Sequence, residues 1–130
     1  MIEHIDLAKR RTGLPFSDAV KVRGRETVYL SGRIGFVPGT TEIPADAAEE
    51  ARYLMDGMVA VLKAGGMTTD DLVFVQIFTP DVSLFDTFNA VYVSYFKDKF
   101  PARAFLGSGK LLFGARFEMV CVAAKGSSDG

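Results

Sequence analysis

The sequence predicts an α+β domain in which two helices pack on one face of a β-sheet. Three observations carry this reading. Two segments place apolar residues at helical spacing, and the segments around them are β-branched or aromatic and bounded by glycine or proline. The two kinds then follow one another as β-β-α-β-α-β-β.

Taken in order, Ala19-Val20-Lys21-Val22 and Thr27-Val28-Tyr29-Leu30 flank Gly24 and Arg25 and read as a hairpin. Ala47, Ala51, Leu54, Met55, Met58 and Leu62 form one apolar stripe and hence a first helix. Asp46 with Glu49 resembles a capping box at its start, and Gly65-Gly66 supplies a left-handed stop. Leu72 to Thr79 is a strand closed by Pro80. Phe85, Phe88, Tyr92, Tyr95 and Phe96 mark a second, heavily aromatic helix, with Ser83 as its N-cap and Pro101 barring its continuation. A short strand is expected just after Pro101. In the last strand Phe117, Met119, Cys121 and Ala123 share one face, and Arg116, Glu118, Val120 and Val122 share the other. The helices cover one face of such a sheet, and self-association is the economical cover for the other.

The 130 residues suit one domain spanning 1–130, with a frayed tail at 125–130, and 48% hydrophobic against 24% charged residues is the profile of a packed chain. Eleven Phe and four Tyr exceed what one small core needs, which points part of the aromatic surface towards a pocket or an interface. With 15 basic and 16 acidic residues, and no like-charge run longer than Lys9-Arg10-Arg11, there is no electrostatic footprint for nucleic acid. The N-terminal residues lack the basic and apolar regions of a secretory signal, and no apolar run approaches the ~20 residues of a membrane span. A cytoplasmic protein is expected.

Catalytic inventories are sparse. His4 is the only histidine, so Ser-His, Cys-His and histidine-based metal sites are not expected. Cys121, the only cysteine, sits mid-strand among apolar residues and reads as inert packing. Ser31-Gly32-Arg33-Ile34-Gly35 fits no dinucleotide or phosphate loop and reads as a turn, where glycine also lets a ligand approach the backbone. One constellation remains: Arg103 at a strand start and Glu118 in the last strand. If these two strands pair as an antiparallel hairpin turning at Ser108-Gly109-Lys110, Arg103 opposite Glu118 sets Phe105 opposite Arg116 and Gly107 opposite Gly114. Guanidinium and carboxylate then share a cleft, or form an ordinary cross-strand ion pair worth about 0.5 kcal/mol.

Pro15-Phe16-Ser17, Ser31-Gly32, Ala64-Gly65-Gly66, Phe88-Asn89-Ala90-Val91-Tyr92 with Tyr95-Phe96, Pro101-Ala102-Arg103 and Phe117-Glu118-Met119 resemble, in order and spacing, the landmarks of the reactive intermediate deaminases, or YjgF-like proteins. The resemblance spans residues 13 to 124. The Pro-Ala-Arg segment with a glutamate fifteen positions on is its most specific part. It implies a chorismate-mutase-like fold of the bacillary type, a homotrimer with pockets between subunits, and hydrolysis of 2-imino or 2-enamino acids to 2-oxo acids and ammonia without metal or cofactor. It assigns Arg103 to the substrate carboxylate and Glu118 to water, with Phe16, Ser31, Gly32, Arg33, Phe88, Asn89, Ala104 and Phe105 binding substrate. Several positions depart from the family's usual residues: Phe16 for tyrosine, Arg33 for glutamine, Glu50 for glutamine, Gly57 for asparagine, Ala104-Phe105 for Ser or Thr and often Cys, and Leu112 for proline. They leave the substrate range open. The alternatives are a non-catalytic binder of small carboxylates in the same cleft and, third, RNA cleavage, which the absent basic patch and histidine base disfavour.

Overall fold

The computed structural model describes residues 2–6, 15–17, 19–22 and 26–125. Strands β1 (Ile2–Ile5) and β2 (Ala19–Val22) form an antiparallel ribbon, with His4 opposite Val20. The main sheet contains β3 (Glu26–Ile34), β4 (Leu72–Thr79), β5 (Ala102–Gly107) and β6 (Glu118–Lys125) in the order β3-β6-β4-β5. Helix α1 (Ala47–Ala64) joins β3 to β4, and α2 (Phe85–Tyr92) joins β4 to β5. The predicted order of elements is present, preceded by β1, which the expected order lacks.

Two pairings differ from expectation. Strand β2 pairs with β1 rather than forming a hairpin with β3, which pairs instead with β6. The proposed turn at Gly24-Arg25 lies outside the described residues. More consequentially, β5 does not pair with β6. It lies parallel to β4, with Arg103 beside Val75 and Phe105 beside Ile77. A parallel neighbour requires a crossover rather than a tight turn, and α2 supplies it. The segment from Ser108 to Phe117 is accordingly no hairpin loop. Ser108 N–H donates to Thr79 O at 2.8 Å, and the reversal falls at Phe113 (φ 62°) and Gly114 (φ 69°), with the Phe113 ring edge-on to Phe36.

Both helices bury their apolar stripes in one core. Leu54, Met55, Met58 and Leu62 of α1 and Phe88 and Tyr92 of α2 meet Val75, Ile77, Met119 and Cys121 from the sheet. Alternation along β6 is as predicted: Met119, Cys121 and Ala123 are buried and Glu118, Val120 and Val122 face the other side. That outer face carries apolar surface, including Tyr29 at 79% exposure with Phe74 and Leu106.

Local signals explain the helix ends. Asp46 accepts from Glu49 N–H at 3.1 Å and caps α1, whereas the Glu49 carboxylate takes the Tyr53 hydroxyl at 2.6 Å. Gly66, at φ 77°, provides the left-handed stop while Met67 N–H reaches Leu62 O at 2.8 Å. Ser83 is not the cap of α2. A turn of 3-10 helix precedes α2, and Asp81 caps it by accepting from both the N–H and the hydroxyl of Ser83. An acceptor at 81 satisfies two donors at once, which a serine two residues later cannot do.

Candidate active site

The predicted site residues fall into two clusters at opposite edges of the main sheet. The first surrounds Arg103 on β5. Its side chain turns towards the helix layer, where Nη1 donates to Asn89 Oδ1 at 2.7 Å. The guanidinium carbon lies 4.8 Å from the centre of the Tyr92 ring, 5.7 Å from Phe85 and 5.8 Å from Phe105. Phe88 completes the aromatic wall through contacts with Phe105 and Tyr92. Cation–π attraction holds the group in place, and among the described residues only Asn89 takes one of its N–H donors. Burial lowers the Arg103 pKa, partly offset by Tyr92, and the guanidinium stays cationic at neutral pH.

Two further predicted residues adjoin this cluster. Ser17 donates its hydroxyl to Phe100 O, and its N–H reaches Pro101 O at 3.1 Å, which holds the half-buried Phe16 beside the entry to β5. Ala104 alternates onto the outer face of β5. Tyr92 and Phe85 were absent from the predicted site, although their spacing with Phe88 was the available signal. The Tyr92 hydroxyl is buried without a hydrogen-bond partner among the described residues, and burial pushes the phenol far above its ordinary pKa.

The second cluster lies where β3 meets β6. The register slips between Leu30 and Arg33, so Ser31-Gly32 forms a bulge. Glu118 lies against it on the outer face: a Cβ at position 32 would fall 2.3 Å from Glu118 Oε2, so only glycine admits the carboxylate here. Beyond the bulge Arg33 turns to the opposite face and lies over Gly57 of α1. Glu118 and Arg33 are therefore neighbours in sequence register but not in space.

The expected pairing of Arg103 with Glu118 is thus corrected. Arg103 is level with Val75 and Glu118 with Phe78, two strands apart and three residues along. Strand geometry makes that about 14 Å between backbones. The two side chains also project from opposite faces, so within one chain no cleft contains both. Phe105 is likewise not opposite Arg116, nor Gly107 opposite Gly114.

Arg116 has a structural role instead. It ion-pairs with Glu50 at 2.8 Å and donates to Pro44 O and Ala45 O. Glu50 is fully buried and also accepts the N–H groups of Arg116 (2.8 Å) and Phe117 (3.2 Å), which pins α1 to the start of β6 immediately before Glu118. Cys121 is buried and its thiol is pushed up to about 12 by desolvation, in accord with packing rather than reactivity. Among the described residues no helix is long and apolar enough to cross a membrane.

A four-stranded mixed sheet backed by two helices, with a ring-framed arginine at one edge and a glutamate over a glycine bulge near the other, defines a recognisable class of α+β protein. Residues 9–125 match the family described as Endoribonuclease L-PSP, and the chain belongs to this family of YjgF-like reactive intermediate deaminases. A RutC family protein of Sulfurisphaera tokodaii is 36% identical over 113 residues, covering 86% of this chain and 89% of that protein. The human protein named 2-iminobutanoate/2-iminopropanoate deaminase is 37% identical over 113 residues, covering 86% and 81%. The crystal structure of E. coli TdcF with bound serine superposes with a TM-score of 0.73 at 27% identity, covering 95% of this chain and 99% of that one.

Proposed function

We propose that the protein hydrolyses small 2-imino and 2-enamino acids to 2-oxo acids and ammonia, at a site built from two copies of the chain. The carrying observation is Arg103: a partly buried guanidinium, framed by rings, whose side-chain partner is the neutral Asn89 rather than an acid. Such a group receives a carboxylate, which the guanidinium fork engages bidentately. The human deaminase relative and the serine held by TdcF point to the same ligand class, an amino-acid-like carboxylate.

The chemistry asks little more. With its carboxylate on Arg103, an imino acid presents the C=N carbon to water, and an enamine first gains a proton at carbon to become the imine. Glu118 takes a proton from the attacking water and returns it to nitrogen, so the carbinolamine loses ammonia and leaves the 2-oxo acid. Phe16, Phe88, Asn89, Ala104 and Phe105 belong to the carboxylate side of this site. Ser31 and Gly32 belong to the side contributed by the β3 edge, whereas Arg33, which the resemblance also assigns to substrate, is turned to the helix layer by the bulge and stands apart from them. The opposed positions of Arg103 and Glu118 support assembly of the site from the β5 edge of one copy and the β3 edge of the next. The apolar outer face supports a closed ring of three.

Ammonia release from freshly generated 2-iminobutanoate tests the reading, and an unchanged hydrolysis rate at saturating protein refutes it. Saturable binding of 2-oxobutanoate without turnover would instead make the protein a carboxylate binder. Sedimentation equilibrium over a dilution series is expected to give a trimer, and a stable monomer that turns over substrate would refute the shared site. RNA cleavage, which the family description names, finds no support in a chain of net charge −1 whose longest basic run is Lys9-Arg10-Arg11.

A further inference from the structure

We propose that a second carboxylate site, centred on Arg33 and separate from the Arg103 cluster, occupies the cavity between β3 and α1. The cavity has a volume of about 250 Å³ and is lined by Leu30, Ser31, Arg33, Met58, Met119 and Cys121, among others. The bulge at Ser31-Gly32 is what puts Arg33 there, because one extra residue reverses the alternation and swings the next side chain to the helix side.

The berth depends on a missing side chain. A Cβ at Gly57 would fall 2.7 Å from Arg33 Nη1 and 3.1 Å from its Cδ, so glycine in mid-helix makes room for the guanidinium. Among the described residues Arg33 makes no hydrogen bond and no ion pair. Its donors therefore border the cavity without a protein acceptor among the described residues, which leaves them available to an anionic ligand. Glu118 does not neutralise it, since that carboxylate lies on the other side of the sheet. Cys121 stays a neutral thiol and adds no competing charge.

The lining fixes the ligand class. One guanidinium suits a single planar carboxylate. The walls supplied by Leu30, Met58, Val61 and Met119 suit a short apolar tail. The volume lies below the roughly 300–1,000 Å³ of sites for drug-sized molecules, and the apolar walls disfavour a strongly hydrated dianion such as phosphate. The ligand is therefore a small monocarboxylate of a few carbons. Within one chain this site lies three strands from Arg103, about 14 Å away at the usual strand spacing. It is on the helix side of β3, whereas Glu118 and the bulge face the other side, and its existence does not depend on deaminase activity.

Methionine methyl NMR tests the proposal, because Met58 and Met119 line the cavity and report on it directly. Titration with sodium butanoate is expected to shift both methyls saturably in the millimolar range. The same shifts should persist in Arg103→Ala and disappear in Arg33→Gln. In Gly57→Ala, where the new methyl displaces the guanidinium, affinity should fall at least about tenfold. Butanol and inorganic phosphate should leave the two signals in place. The proposal is overturned if the folded wild-type protein shows no saturable shift, or if Arg33→Gln and Gly57→Ala bind as wild type. It is equally overturned if butanol or phosphate matches butanoate, or if Arg103→Ala abolishes the response.

Discussion

Placing Arg103 and Glu118 on opposite faces of one sheet, about 14 Å apart along its backbone, has a direct consequence for mixed assemblies. Arg103→Ala and Glu118→Gln chains should each be nearly inactive alone. When equal amounts are mixed and allowed to exchange, a site is intact only if its arginine donor carries Glu118→Gln and its glutamate donor carries Arg103→Ala. Random assembly gives each condition a chance of one half, so about one quarter of wild-type activity returns. A site contained within one chain gives no recovery, because every chain in the mixture then lacks one group. The assay is ammonia release from 2-iminobutanoate, run after native mass spectrometry has verified that mixed oligomers are present. Exchanged oligomers no more active than the two variants measured separately would refute the two-copy site.

Four further outcomes are expected. Arg103→Lys should lose most of its turnover, since an ammonium cannot form the fork or lie flat over Tyr92; a Lys variant with nearly full kcat/KM would argue against bidentate binding. Glu118→Gln should retain 2-oxobutanoate binding by calorimetry while kcat drops by about 100-fold or more, whereas loss of binding would make Glu118 a structural group. Glu50→Ala should destabilise the fold by about 3 kcal/mol in a denaturant titration, because it removes the ion pair to Arg116 and leaves two N–H groups at the β6 entry without their acceptor; a loss under 1 kcal/mol would show that the pair contributes little. Tyr92→Phe should leave stability unchanged or raise it by up to about 1 kcal/mol, since the hydroxyl it removes is buried without a partner, and a clear loss would reveal an acceptor such as an ordered water.

The parts of the fold set by local pattern could be read directly from the residues. Leu72 to Thr79 coincides with β4, and the stripe from Ala47 to Leu62 lies within α1, because alternation and helical period are local properties backed by Pro80, Asp46 and Gly66. The partner of β5 was not local information. Whether Arg103 lies beside Glu118 or Val75 depends on α2 acting as a crossover, and the turn-forming Ser108-Gly109-Lys110 gave the competing answer. The direction of Arg33 was hidden for a different reason: a bulge reverses every later side chain, and Ser31-Gly32 reads equally well as a plain turn. The residues of the candidate site were thus legible from the family landmarks, but their separation into two clusters was not. Tyr92 and Phe85 show the same limit, since their helical spacing was visible but not that it framed a cation.

The position of β6 bears on how the chain acquires its structure during synthesis. The last strand in chain order lies between β3 and β4, two strands with no other link across the sheet. Until β6 leaves the ribosome, the β3–α1 portion and the parallel β4–α2–β5 unit have complementary edges but no strand to join them. Each presents unpaired backbone along one side, which is the condition under which nascent chains associate wrongly. Closure is a late event with large sequence separation, and it is therefore slow relative to formation of either helix. Slowing translation should thus do little for this protein, whereas a chaperone that shields exposed strand edges until β6 has emerged should raise its yield.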